Sequence, residues 1–382
     1  MAPPVEFYIG QKILMTEVPV ERISYLLSNV QRSLFPHLRE SCGKLSDREE
    51  RLVKVLEVVE IEKHIRISHW LGRKPEDRKP LARAFVAKAF YNIPTTGALL
   101  ERLRRDKTFR QLCGWECWNQ VPSESTFSRA FANFAQSDLT NKVHAALVKD
   151  YVSDDVVWHL SRDATAIAAR EKPAKKVVTA DVTKVKNKRG RPKKGEVRPA
   201  PEKKRIEKQC GWSLDECLRD LPTACDVGTK KNSKGYKTTW IGYKFHVDVG
   251  DKGIPISALT TSASMHDSQA AIPLMKMTAS RVESFYDLMD SAYDAEPIHQ
   301  TSIELGHVPI IDCNPRCGEF LPMEPDRARR YNNRTMSERF NSELKDNHGG
   351  STLRVKGHNK VHAHLMFGLL VIFAETVLAL VT

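Results

Sequence analysis

The chain has 382 residues, 41% of them hydrophobic, enough to bury a sizeable core and to divide into two or three domains of a soluble globular protein. Sixty Lys and Arg against 47 Asp and Glu give a formal net charge of +13. That balance puts a polyanion first among partner classes, although a basic protein with no nucleic-acid role would share it. No basic-then-apolar leader pattern opens the chain, and the one long apolar run, Leu365 to Ala374, stops at Glu375. A buried helix is therefore expected there, not a membrane span.

From Glu21 to Tyr151 apolar residues recur at spacings of three and four, in DREERLVKVLEVVEIEKHI, LARAFVAKAFYNI, TGALLERLRRD and ESTFSRAFANFA. The breaks GRKPEDRKP, IPTT and NQVPS are rich in Gly, Pro and capping residues, so residues 1–152 are expected to form an all-helical DNA-binding or dimerisation domain. VPSESTFSRAFANF offers Ser123 or Ser125 as an N-cap, and is either a helix-turn-helix-like DNA reader or one more packed helix.

At Asp155 the period becomes that of strands. DVVWHLSRDAT is followed, after a long interruption, by TTWIGYKFHVDV and GIPISALTTSAS, joined by a hairpin turn at Gly250 to Gly253. A helix over SQAAIPLMKMTASRVE, a strand over SFYDLMDSA, a helix from Asp294, a strand over HVPIIDC and a polar helix complete the series. The pattern predicts a mixed five-stranded sheet with helices over 153–359, with ligands gathering at strand ends. The interruption, about 171–234, is Lys-, Pro- and Gly-rich and is expected to be a flexible basic insertion. Residues 360–382 should pack an apolar helix on the core. The eight cysteines lack C-x-x-C spacing, which favours reduced structural thiols in the cytoplasm over a zinc site.

Three acids fall where this layout converges: Asp163 near the end of the first strand, Asp290 near the end of the fourth, and Glu338 on the polar helix. Acids in apolar surroundings need compensation, and carboxylates suit Mg²⁺ or Mn²⁺, two of which can hold both oxygens of a phosphoryl displacement. Asp267, Asp287 and Asp294 are rivals. Tyr331, Arg334, Glu338 and Lys345 lie within an arc of about 60° on one helix, so donors for a phosphate share a face with a carboxylate.

YNNRTMSERFNSELK, residues 331–345, fits without a gap the signature Tyr, two residues, Arg, three residues, Glu, six residues, Lys, and so resembles the DDE transposases of bacterial insertion sequences. RDATAIAAREKP resembles that family's first-aspartate block and LMDSAYDAEPI its second. The resemblance extends over about three quarters of the chain. It implies a ribonuclease-H-like catalytic domain, with Asp163, Asp290 and Glu338 as catalytic ligands of two Mg²⁺ or Mn²⁺ ions and Asp294 as a helix cap. It further implies cleavage at terminal inverted repeats and strand transfer into target DNA by a homodimer in the bacterial cytoplasm, associated with the nucleoid. Ala164 and Ala292 depart from residues frequent in those blocks. The spacing of 48 positions between Asp290 and Glu338 leaves no room for the β-rich insertion of some relatives, and the extra length falls between Asp163 and Asp290.

Twelve Lys or Arg against three Glu fall between Lys184 and Lys208. Within them NKRGRPKKGE resembles an A·T-hook, whose Arg189 and Arg191 would enter a narrow minor groove with Lys193 and Lys194 beside them; the bland reading is a linker binding phosphates without preference. Two other functions share many of these features: a catalytically silent transposase-derived DNA-binding protein, and a metal-dependent DNA nuclease.

Overall fold

In a computed structural model of the chain, residues 43–65, 76–175, 203–231, 235–313 and 322–381 are described. Ser46 starts α1 (Asp47–Val59) with a reciprocal cap: its backbone N–H donates to the Glu49 carboxylate at 2.8 Å while its hydroxyl accepts the Glu49 N–H. Asp77, Thr95 and Asp106 cap α2 (Arg78–Phe90), α3 (Thr96–Arg105) and α4 (Lys107–Cys113) in the same side-chain-to-backbone manner. Then come α5 (Glu124–Gln136) and α6 (Leu139–Tyr151). Ser123 is the N-cap of α5, but its hydroxyl bonds Ser125 at 2.9 Å instead of a backbone N–H.

These helices pack ring on ring, Phe85 against Phe127, Phe131 and Phe134, and their shared core is completed by one further helix. That helix is the last, α13 (His358–Val381): Ala363, Phe367, Leu370, Val371, Ala374 and Val377 face α1, α2, α5 and α6, with Phe367 and Phe131 packed as near-parallel rings. Its opposite stripe, Val361, Leu365, Leu369 and Ile372, faces the sheet. A helix buried on both sides is apolar all round, which explains why α13 is long and apolar enough to cross a membrane yet is a core helix.

The sheet contains β1 (Val157–Ala168), β2 (Asp226–Lys231), β3 (Lys237–Val249), β4 (Pro255–Ser262), β5 (Ser284–Met289) and β6 (Val308–Ile311). It has six strands, not the five expected, in the order β2-β3-β1-β5-β6, with β4 also on β3. β2 pairs with Lys237–Gly242 of β3 and β4 with the remainder, so the extra strand prolongs one edge. Pairing is antiparallel among β1 to β4 and parallel for β1 with β5 and β5 with β6. Gly242, at φ 153°, sits where any Cβ would lie 2.1 Å from the Ile167 carbonyl, so the β1–β3 approach requires glycine.

The segment expected to be a flexible insertion is folded over 203–231. It forms α7 (Arg205–Gly211), α8 (Leu214–Asp220) and β2. Ser213 and Glu216 form a capping box, a signal present in the sequence. Arg205 binds Asp220 at 2.6 Å and Gln269 at 2.9 Å, docking the pair on α9 (Ser268–Ala279). Asp294 is not the cap of α10 (Glu296–Glu304); that position is Ala295, and Asp294 pairs with His299 at 3.1 Å. The polar helix is also divided: α11 (Pro325–Tyr331), a 3₁₀ turn over Asn332–Arg334, then α12 (Thr335–Asn347).

Neutral histidines stitch the helical layer to the sheet. His144 on α6 meets the Pro255 carbonyl at 2.9 Å, and His362 on α13 meets Thr260 at 2.8 Å and Asn141 at 3.1 Å. Burial pushes His144 and His362 down to about 3, and His246 and His364 down to about 4. The unfolded chain therefore binds more protons than the fold between about pH 4 and 6.5, and stability rises with pH across that window. At about pH 5 each histidine withdraws roughly 2 kcal/mol, so four together approach the 5–15 kcal/mol of a typical domain. Burial raises Glu57 to about 7 and Asp163 to about 6, and raises Asp248 and Asp290 as well; these acids work in the opposite direction and offset part of the effect. The melting temperature is expected to fall steeply between about pH 7 and 5, measured by calorimetry, and the fall to be shallower in His144→Gln.

Candidate active site

Strand alternation separates two charged layers. On β1, Arg162 points to the α9 face and Asp163 to the α12 face. Arg162 is 1% exposed and forms a bidentate pair with Asp248, its cross-strand partner on β3, at 2.7 and 2.6 Å. Asp287 on β5 lies 3.8 Å from the same guanidinium. Burial raises Asp287, but the hydrogen bonds from His307 and Ser302 and the charge of Arg162 outweigh it and hold the acid below the ordinary range. Asp287 is thus a structural anion. Asp267 is likewise occupied, 2.8 Å from Lys244.

Asp163 and Asp290 differ from these rivals. The parallel register pairs Ser161 with Leu288, so Asp163 and Asp290 stand level two residues further on, on the face covered by α12. Asp163 is not at the end of β1, which continues to Ala168; what ends there is the pairing with β5. Neither forms an ion pair with a described residue. Burial pushes Asp163 up to about 6, opposed by the backbone bond at Ala164 and reinforced by the charge of Asp290. Asp290 is raised by burial as well, although its Oδ1 accepts the Ala292 N–H at 3.0 Å.

The catalytic-type helix is fastened to β1 beside them. Ser161 Oγ lies 2.7 Å from both the Arg334 carbonyl and Ser337 Oγ, and Asn341 donates to Asp163 Oδ2 at 3.0 Å. Tyr331 and Arg334 are three residues apart across a 3₁₀ turn, where such side chains eclipse, and the guanidinium sits 5.6 Å from the ring centroid. Arg334 Nη2 donates to Glu338 at 2.6 Å, and its charge acts on Asp163 and Asp290. Lys345 is lowered by burial and by Lys230, and favoured by Asp163. Tyr331, Arg334 and Lys345 therefore lie within reach of the aspartates' charge although they span two helices and a turn, whereas Asp163, Asp290 and Glu338 do not close to within 4.8 Å of one another. Glu338, 51% exposed, is linked to the aspartates through Arg334.

Three participants were missed in the sequence. Lys230 lies on β2, within the stretch read as an insertion, and its charge reaches Asp163, Asp290 and Lys345. Asn341 had no motif to mark it. Arg162 was visible only as the neighbour of an aspartate. Arg189, Arg191, Lys193 and Lys194 lie outside the described residues. Among the described residues, one group of three ligand-type side chains closes to within 4.8 Å: Glu343, His348 and Glu375. Arg51 already neutralises Glu375 at 2.7 Å, and the His348 Nδ1 lies 3.2 Å from the Ala89 carbonyl, so this group ties α12, α13 and α1 together.

A profile of the transposase DDE domain matches residues 163–374, and one of a transposase domain (DUF772) matches residues 40–133. The first spans more than half of the chain, which belongs to the DDE transposase family. It is an enzyme of the transposase kind, acting on DNA, and its β4-β3-β1-β5-β6 path is the ribonuclease-H-like core that the family implies. No curated protein and no solved structure matches the chain.

The buried Arg162 pair yields a stability test. Arg162→Met leaves Asp248 and Asp287 buried without their cation and is expected to cost about 3–5 kcal/mol, read as a lower urea midpoint. Adding Asp248→Leu should recover part of the loss, because the unpaired charge and not the missing volume dominates.

Proposed function

We propose that this transposase cleaves phosphodiester bonds at the ends of its insertion sequence and joins the freed 3′-hydroxyl to target DNA, with Asp163, Asp290 and Glu338 as the metal-holding carboxylates. The observation that carries this reading is that two aspartates are level on adjacent strands, both raised by burial, with no ion pair to a described cation. Such a pair is costly without a cation. The donor set suits a hard divalent ion, and the buried Asn341 Oδ1 and Tyr293 hydroxyl have no hydrogen-bond partner among the described residues. Mg²⁺ or Mn²⁺ bound there supplies charge for the attacking and leaving oxygens.

The chain's own residues do the rest. Arg334 holds a non-bridging oxygen of the scissile phosphate with the planar fork that now engages Glu338, and Tyr331 steadies that guanidinium. Lys345 and Lys230 hold neighbouring phosphates. Asn341 keeps the Asp163 carboxylate oriented, and Ser161 keeps α12 in register with β1. The helical unit up to about residue 152 and the basic stretch with Arg189, Arg191, Lys193 and Lys194 bind the inverted repeats, and the protein acts as a homodimer across two ends, in the cytoplasm.

Asp163→Asn, Asp290→Asn and Glu338→Gln are each expected to abolish Mg²⁺-dependent cleavage of pre-bound ends while leaving end binding intact. Arg334→Lys keeps the charge but loses the fork, and should slow single-turnover cleavage by about 100- to 1,000-fold. Products joined to a second duplex establish transposition; nicking without joining would leave a nuclease. A folding readout accompanies these assays. A raised Asp163 destabilises the fold above about pH 6 and not below about pH 4, so Asp163→Asn should melt higher than wild type at about pH 7.5 without divalent ions. Mg²⁺ should raise the wild-type melting temperature and leave that of Asp163→Asn nearly unchanged.

A further inference from the structure

A cleft of about 450 Å³ opens at the seam between the helical layer and the segment that follows α12. Its walls are fixed. Asn92, in the turn between α2 and α3, donates to the Asp346 carbonyl at 2.8 Å; His348 Nδ1 meets the Ala89 carbonyl at 3.2 Å, and His364 the Gly349 carbonyl at 3.0 Å. The lining carries five cations, Lys88, Arg170, Arg354, Lys356 and Lys360, against one carboxylate, Glu124. None of the five forms an ion pair with a described residue, although ion pairs are frequent elsewhere on α1 to α4.

Lys88 is the informative member. It stands on α2 between buried neighbours, and burial pulls its amine down to about 8 with no anion offsetting the loss. A structural lysine at such a position would be met by a carboxylate, and a packing position would be apolar. A preformed basic cleft with an uncompensated cation in its wall fits a polyanion's phosphates.

We propose that this cleft is a second DNA-binding site that grips the backbone of duplex DNA a short distance from the cleavage point. The reading rests on the proposed DNA chemistry at Asp163 and Asp290. Ten residues of rise from Glu338 to His348 separate the cleft from Glu338 by about 15 Å along the helix, or about four to five base pairs of duplex. The cleft therefore meets phosphates of the same duplex that Arg334 and Lys345 meet at the cut. Because it joins elements of both layers, DNA seated in it braces the helical unit against the catalytic helix.

The test uses the full chain and a fluorescent duplex of about 30 base pairs carrying an element end, titrated at several salt concentrations without divalent ions. Arg354, Lys356 and Lys360 are exposed, so the triple change Arg354→Ala, Lys356→Ala, Lys360→Ala leaves the core untouched. It is expected to weaken binding at least about tenfold and to flatten the salt slope by about 2–3, near 0.9 for each lost phosphate contact. Lys88→Met should weaken binding too, while melting at or above the wild-type temperature, because it removes a cation buried without a partner. Asp163→Asn should keep the wild-type slope. A folded triple variant with an unchanged slope, beside a wild type that binds, overturns the cleft and leaves the proposed reaction standing. A wild type that binds no duplex overturns both.

Discussion

The buried bond between Arg162 and Asp248 is the constraint on which the site depends. It fixes the β1–β3 register from inside, since the two residues are cross-strand partners, and the approach of Asp287 to the same guanidinium extends the lock to β5. Asp163 follows Arg162, and Asp290 lies three residues after Asp287. The pleat turns each to the opposite face, so an ion-paired cluster below the sheet sets where two acids without an ion pair to a described residue stand above it. A one-residue slip would bury the wrong member of each pair, at a cost no loop rearrangement would recover.

The second requirement is that α12 stay on that face. Its first turn is held by Ser161 and its far end by α13, where Gly368 brings the helices so close that a Cβ would lie 2.7 Å from the His348 carbonyl. α13 in turn is the shared core of the helical layer and the sheet. The helical unit and the catalytic unit are therefore one packed body along this seam, and movement of α13 relative to the helical layer would be felt at Glu338 through a single helix.

Much of this was legible because it is periodic or local. The spacing of Tyr331, Arg334, Glu338 and Lys345 identified the signature, and Tyr331, Arg334 and Lys345 do reach the aspartates' charge, although a 3₁₀ turn divides the helix; three-residue eclipsing in that turn preserves the alignment of Tyr331 with Arg334. The β3–β4 hairpin was readable from Gly250 and Gly253. What escaped is non-local. β2 is short, polar and exposed on one edge, so its sequence resembles a basic linker, and only pairing with β3 makes it a strand. Its Lys230 enters the site by that pairing alone. Arg162 carried no sequence signal because burial, which decides its role, is not visible in composition.

The remaining question is which buried charges the fold needs and which it tolerates. Arg162, Asp248 and Asp287 are compensated within the chain, as are Asp267 by Lys244 and Glu375 by Arg51. Asp163, Asp290 and Lys88 are not paired among the described residues, and each is displaced toward its neutral form by burial. Glu57 is a further buried acid raised by burial without an ion pair among the described residues, so Asp163 and Asp290 are set apart by standing level on adjacent strands and Lys88 by lining a cleft with four other cations. Asn341, the Ala292 N–H and the charge of Arg334 ease the two aspartates without forming an ion pair with them. Acids without an ion-pair partner in one place and a cation without one in another are the complement of a metal-bearing phosphate backbone, which offers cations to the first and anions to the second.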